Sequence, residues 1–317
     1  MIERLTDIVL TKVRYRYKKI FKIQTNLKKS NEYVNLDKDQ VQSTIHNLIQ
    51  SNQPFLVSRF GSEELIWYLK YKYLSGNFFY RAYNYVTCKS DFWKYSDRII
   101  QSRVIIPVSE KSTKFFISKL DMAIPEIDLL GSWLKMEGDK HVKLKCDKFG
   151  FFCDLDPFFV ENPWTLSLKG KKVLIIHPMI EDIKFQYEKR DLLFEVPTLP
   201  ECELKFIEAK FFDDPAFSGC EEIYAYYLNE LKKFDFDIAL IGCGPLGMPL
   251  AAEIKKMGKQ AIHLGGATQL IFGIMGNRWM SEDFLNGAYI KLLNEHWIFP
   301  RKKPSWANTL ENACYWK

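Results

Sequence analysis

A Rossmann-like α/β fold is what the 317 residues predict: a three-layer sandwich on a mostly parallel sheet, with a basic helix in front. Two observations carry that prediction. After residue 169, short apolar runs rich in β-branched residues alternate with segments of helical period, the pattern of successive βαβ units. Two of those runs stop at glycine turns, GCGPLG at 242–247 and GGAT at 265–268, and each turn opens a helix-like segment. Such turns lie at the carboxyl edge of a parallel sheet, where ligands of these folds bind. Hydrophobic residues at 47% and aromatics at 15% supply a sizeable core and argue against disorder.

The first thirty residues hold nine Lys or Arg against Glu3 and Asp7, so the formal charge of +6 sits in one arm and the rest is near neutral. Val9, Val13, Tyr17, Ile20 and Phe21 recur at steps of three and four and predict a helix over 5–23. A basic amphipathic helix with aromatic residues suits an anionic membrane surface, and residues 1–30 are expected to meet one. Docking on its own domain or on a second subunit is the alternative. Nucleic acid is not an expected partner, because the positive charge is confined to the arm. No run is long and apolar enough to cross a bilayer, and the N-terminus lacks the apolar core of a signal peptide. Seven cysteines without a C-x-x-C pair suit reduced thiols. The expected place is the cytoplasm, peripheral on the inner face of the membrane. The expected division is an arm at 1–35 and a single α/β domain at 36–317.

Asp37 or Asp39 is placed to cap a helix over VQSTIHNLIQ. PFLVSRFG reads as a buried strand ending at Arg59, Phe60 and Gly61, after which Ser62 opens the helix EELIWYLKYKYL. Glu63 and Glu64 in its first turn complement the helix dipole. They also stand, with Arg59, where a phosphate and a divalent cation can be held. Between 78 and 165 the expected elements are a strand at 104–108, a helix near 113–120, and helices through WKYSDRI and EIDLLGSW. Asp154, Asp156 and Glu161 fall among prolines and so in loops; such acids can bind metal, but scattered ones are more often solvated. Strands follow at 173–176, ending in His177 and Pro178, and at 203–207, 236–241 and 260–264. The helices between them run through MIEDIKFQYEKR, FSGCEEIYAYYLNELKKF and MPLAAEIKKMG.

GCGPLG is spelled like a dinucleotide fingerprint, but the next strand, QAIHL, ends in His263 where a ribose-binding acid belongs. A redox dinucleotide is therefore disfavoured, while the physics of the turns remains. Gly242, Gly244, Gly247, Gly265 and Gly266 let backbone N–H groups approach an anion at helix starts. Thr268 and Gln269 are candidate donors to phosphate, base or sugar, and Arg278 is a candidate partner for a diphosphate. His177 and His263, both at strand ends, are expected to face one crevice and are candidate general bases. No G-x-S-x-G elbow, Walker lysine or H-E-x-x-H motif is present.

PFLVSRFGSEEL, ENPWTLSLKGKKVLIIHP, the FQYEKR helix, the glycine-rich 241–279 segment and ENACYW together resemble bacterial glycosyltransferase-like proteins of the GT-D-type fold, often tied to surface-polysaccharide synthesis. The resemblance spans roughly 54–317. It implies transfer of a sugar from a nucleotide-diphosphate sugar to a saccharide or lipid-linked acceptor. In that family an Asp-x-Glu motif after the Arg-Phe-Gly turn helps bind a divalent metal, Mn2+ or Mg2+. Here the triplet is Ser62-Glu63-Glu64, so Glu64 matches the second carboxylate and Ser62 replaces the aspartate. The resemblance thus implies Glu64, with Glu63, as catalytic or metal-binding residues, and Arg59, Gly61 and Ser62 beside the donor. A non-catalytic nucleotide- or sugar-binding protein of the same fold is the first alternative. An NAD-dependent oxidoreductase or epimerase is the second.

Overall fold

Seven parallel strands form one sheet in the order β3-β2-β1-β7-β6-β4-β5. They are β1 (Phe55–Arg59), β2 (Leu129–Ser132), β3 (Phe149–Phe151), β4 (Lys172–His177), β5 (Glu203–Glu208), β6 (Ile238–Ile241) and β7 (Gln260–His263). The helices are α1 (Ile2–Phe21), α2 (Lys38–Gln50), α3 (Ser62–Leu74), α4 (Phe78–Val86), α5 (Glu110–Ala123), α6 (Ile180–Tyr187), α7 (Cys220–Leu231) and α8 (Gly247–Lys256). The computed structural model describes residues 2–23, 32–90, 93–94, 110–210, 216–304, 307 and 313–317. The strand expected at 104–108 and most of WKYSDRI lie outside those residues.

Alternation along the strands builds the three layers. Leu56, Leu130, Leu174, Ile176, Ala239 and Ile241 face one side, packed with residues of α3, α5, α7 and α8. Val57, Leu129, Val173, Ile175, Leu240 and Ile262 face the other, against α2, α6 and the 264–275 segment. Strands covered on both faces are near-continuous apolar runs, as parallel sheets require. Each fully buried Leu or Ile contributes about 1.5–3 kcal/mol relative to exposure.

EIDLLGSW is not a helix; its LLGS core is β2, paired to β1 through Val57 and Leu129. A four-residue run buried on both sides shows no period of two, so its sequence does not separate strand from helix. Of the two candidate caps, Asp37 starts α2, in a reciprocal capping box with Gln40. The basic helix forms and docks on α4 through polar groups. Arg14, buried, donates to the carbonyls of Tyr85 and Ser90, while Asp7 accepts from Trp93 Nε1 at 2.8 Å and pairs with Lys94 at 2.6 Å. No helix of the described residues is long and apolar enough to cross a membrane.

The strand ends are level. Ser58 and Ile241 both pair with His263, and Ile176 pairs with Ile241. β4 and β6 are neighbours whose onward connections leave in opposite directions, β4 to β5 at the sheet edge and β6 to β7 toward the middle of the sheet. Such a switch point opens a crevice beyond the carboxyl ends of the strands.

Candidate functional site

A cavity of about 390 Å3 fills that crevice. Its lining includes Arg59, Gly61, Ser62, Glu63, Glu64, His177, Gly242, Gly244, His263, Gly265, Gly266, Gln269 and Arg278. Two stretches of sequence some 180 residues apart are thereby joined. Trp133, Phe152, Asp156, Tyr289, Tyr315 and Trp316 also line the walls, and only Tyr315 and Trp316 fall in a segment that the sequence singled out, ENACYW.

On the β1 side, Arg59 is largely engaged by the protein. Its Nε donates to the Leu264 carbonyl at 2.9 Å, Nη1 to the Phe152 carbonyl at 3.1 Å, and Nη1 pairs with Asp156 at 3.4 Å. Nη2 also reaches Leu264, which leaves one N–H of the five for a ligand. Asp156 is not a solvated loop acid. It is buried, with Arg59 on one oxygen and the Tyr289 hydroxyl donating to the other. Burial pushes its carboxyl up, and Arg59 and Tyr289 pull it back.

Glu64 stands differently. Gly61 is the N-cap of α3 without a side-chain cap, and the Glu64 carboxyl folds over it: a Cβ on Gly61 would meet Glu64 Oε2 at 1.8 Å. The residue keeps surface toward the cavity, yet its carboxyl lies deep within it. Burial raises its pKa, Glu63 adds to the rise, and its own N–H and the charge of Arg278 oppose it. Apart from its own N–H, it hydrogen-bonds no group among the described residues. The carboxyl thus lies over the start of α3, where the first N–H groups have no intrahelical partner.

The opposite wall is neutral. His177 Nδ1 accepts from Met179 N at 3.2 Å, which leaves the proton on Nε2. His263 Nδ1 shares a hydrogen with Ser58 Oγ at 3.0 Å. Burial holds both imidazoles down to about 3, with Arg59 adding to the effect at His263. Both are therefore neutral imidazoles at physiological pH.

Several glycines serve these side chains rather than a ligand. A Cβ on Gly242 would meet His177 Cδ2 at 2.5 Å and the Gly265 carbonyl at 2.6 Å. One on Gly247 would meet His263 Nε2 at 2.5 Å, and one on Gly266 the Tyr315 ring at 2.0 Å. Gly265 alone among these combines positive φ, +58°, with open space on its Cβ side. It opens the segment Gly265–Phe272, whose first N–H groups have no earlier carbonyl to reach.

Thr268 is fully buried and donates to the Ile241 carbonyl, so its hydroxyl holds the turn to β6. Gln269 donates to the carbonyls of Ile274 and Tyr315, while its Oε1 is buried with no hydrogen-bond partner among the described residues. Arg278 lies over the Tyr315 ring at 4.8 Å and donates to its hydroxyl at 2.9 Å. Residues 313–317 are thus part of the wall. Tyr315 and Trp316 fall within the ENACYW segment, but their placement depends on backbone pairing of Asn277 and Arg278 with 314–316.

Among the described residues no group of three or more His, Cys, Asp or Glu side chains is arranged to hold a metal ion. Any divalent cation at Glu64 and Glu63 would need most of its oxygens from a bound ligand.

Two solved structures are similar to the chain. One is a selenomethionine-substituted domain of unknown function 1792, 15% identical over 81% of this chain and 82% of that one, with a TM-score of 0.33. The other is described as the highly conserved domain of unknown function 1792 with a distinct glycosyltransferase fold. It is 17% identical over 73% of this chain and 77% of that one, also with a TM-score of 0.33. Likeness at this level transfers no residue role. No protein-family model matches the chain, and no curated protein matches it.

Proposed function

We propose that the cavity binds the diphosphate of a nucleotide-sugar donor and that the protein transfers the sugar to a saccharide or lipid-linked acceptor. The observation that carries this reading is the pairing of a half-buried carboxyl, Glu64, bonded only to its own N–H, with a wall of neutral donors and Arg278 at a sheet switch point. In the transfer, the acceptor oxygen forms a bond to the sugar's anomeric carbon as the bond to the diphosphate breaks. The acceptor's proton goes to a base, and the leaving oxygens gain charge that must be stabilised.

Glu64 is the proton acceptor in this reading, its raised pKa bringing it closer to the working range of a base. His177 and His263, held to about 3, are too weakly basic for that role. His177 instead donates from Nε2, together with the N–H groups of Gly265 and Gly266 and the Arg278 guanidinium. Arg59 positions the Leu264 turn. Manganese or magnesium, where it takes part, would arrive with the diphosphate and touch Glu64 and Glu63. Ser62 in place of an aspartate favours the second reading, a non-catalytic binder of the same ligand, in a cytoplasmic setting for either.

Calorimetry across nucleoside diphosphates and nucleotide sugars, with and without manganese, tests the binding step, and release of nucleoside diphosphate tests the transfer. The expected result is diphosphate-dependent binding, with turnover that Glu64→Gln removes. Binding with no turnover, unchanged in Glu64→Gln, supports the non-catalytic reading. No binding of any nucleoside diphosphate overturns both.

A further inference from the structure

The α1 helix is attached through polar side chains and turns apolar ones outward. Asp7 and Arg14, two helical turns apart, hold it to Trp93, Lys94 and the end of α4. On the opposite side Leu5, Val9, Val13 and Ile20 stand 57%, 57%, 44% and 71% exposed. Single exposed aliphatics are ordinary, but four on one side of one helix form a surface that wants cover.

Lys12, Arg16 and Lys19 share that outward half of the helix, interleaved with the aliphatics at 100° per residue. All three are exposed, and none makes an ion pair with a described residue. This mixture chooses the occupant. A second protein with an apolar groove would bury three uncompensated cations. A lipid surface takes the aliphatic side chains at the acyl boundary while the long basic side chains reach back to anionic headgroups. Phe78 and Phe79 on α4, the helix against which α1 packs, are themselves 41% and 80% exposed.

We propose that α1 lies in the plane of an anionic lipid surface, with the Leu5–Val9–Val13–Ile20 side inward. Because the Asp7 and Arg14 contacts clamp the helix to the α/β body, this docking also sets which side of the molecule faces the lipid. The proposal stands apart from the transferase reading and is tested without turnover.

The full chain is sedimented with vesicles of phosphatidylcholine alone and of phosphatidylcholine mixed with phosphatidylglycerol. Binding to the anionic vesicles only, weakened by salt, is the expected result. Val9→Asp with Ile20→Asp, and separately Lys12→Glu, Arg16→Glu and Lys19→Glu together, should each lower partitioning at least about tenfold with circular dichroism unchanged. No binding, equal binding to both vesicle types, or full binding by either variant overturns the proposal. So does a concentration-dependent dimer, seen in sedimentation velocity, that Val9→Asp with Ile20→Asp abolishes in a protein that ignores vesicles.

Discussion

On the β1 side of the cavity two buried carboxyls stand within one wall, whereas the β4–β6–β7 side offers imidazoles and backbone amides that carry no charge at physiological pH. The two carboxyls also differ from each other. Asp156 is held by Arg59 and Tyr289, and Glu64 is held only by its own N–H. Both are pushed up by burial, yet one is a strut between Arg59 and Tyr289 and the other has no such partner among the described residues. The neutral wall is preorganised in a different sense, since its histidines are packed against glycines and cannot swing. A ligand bearing negative charge meets fixed donors on one face and a carboxyl able to take a proton on the other.

Separating strut from reagent gives the largest expected effects. Glu64→Gln should lower transfer about 10^2–10^4-fold while leaving thermal stability unchanged or slightly higher, because a desolvated charge is removed. Asp156→Ala should do the reverse, costing about 3–5 kcal/mol of stability by leaving the Arg59 guanidinium buried without its partner. Chemical denaturation beside a donor-turnover assay checks both. Equal losses in both measurements for both variants would erase the distinction drawn between them.

The glycine wall is probed next. Gly242→Ala meets a backbone carbonyl and the His177 ring, and about 3 kcal/mol of destabilisation is expected from overpacking that cannot relax. Gly265→Ala meets open space, so only its positive φ is penalised, by about 1 kcal/mol. Its larger effect should fall on diphosphate affinity, measured by calorimetry. If Gly265→Ala proves the more destabilising of the two, the packing account of these turns is wrong.

Titration sharpens the contrast at the smallest scale. Glu137, in the short helical turn Lys135–Gly138 after β2, accepts from Ser132 Oγ and from the N–H groups of Trp133 and Leu134, and burial still lifts it from 4.5 to about 7. A raised folded pKa means the native state binds the proton more tightly. Its contribution is complete below 4.5 and is lost as pH rises through about 7. The histidines act in the opposite sense. Their folded values near 3 lie below the ordinary 6.5, so their contribution is complete above 6.5 and is lost as pH falls through 3. Glu137→Gln should therefore flatten the melting temperature between pH 4.5 and about 7 and leave the acid side untouched. Thermal melts across pH decide it.

Much of the scaffold is legible in the sequence alone. The units from Lys172 to His263 are local, with strand, turn and helix adjacent in sequence, so periodicity and glycine punctuation expose them. β2 escaped because four residues buried on both faces carry no alternation, and β3 is a three-residue edge strand. At the site, the glycine turns, the histidines and Glu64 were legible because they end or begin regular elements. Asp156, Tyr289 and Tyr315 come from irregular segments, and only long-range packing brings them to the cavity. The same packing showed what spelling could not: Gly247 and Gly266 make room for His263 and Tyr315.

The sheet order has a consequence for how the chain reaches this state. β1 sits between β2 and β7, and its register with β7 joins residues about 205 apart, as in the Ser58–His263 contact. Until β7 has been synthesised, one edge of β1 has no partner, and FLVS is a largely apolar segment of the kind that pairs with strangers. Long-range parallel pairing is intrinsically slow and leaves such edges open to aggregation. During synthesis the vulnerable interval runs from the emergence of Phe55 to that of His263, and a chaperone that shields strand edges would act there.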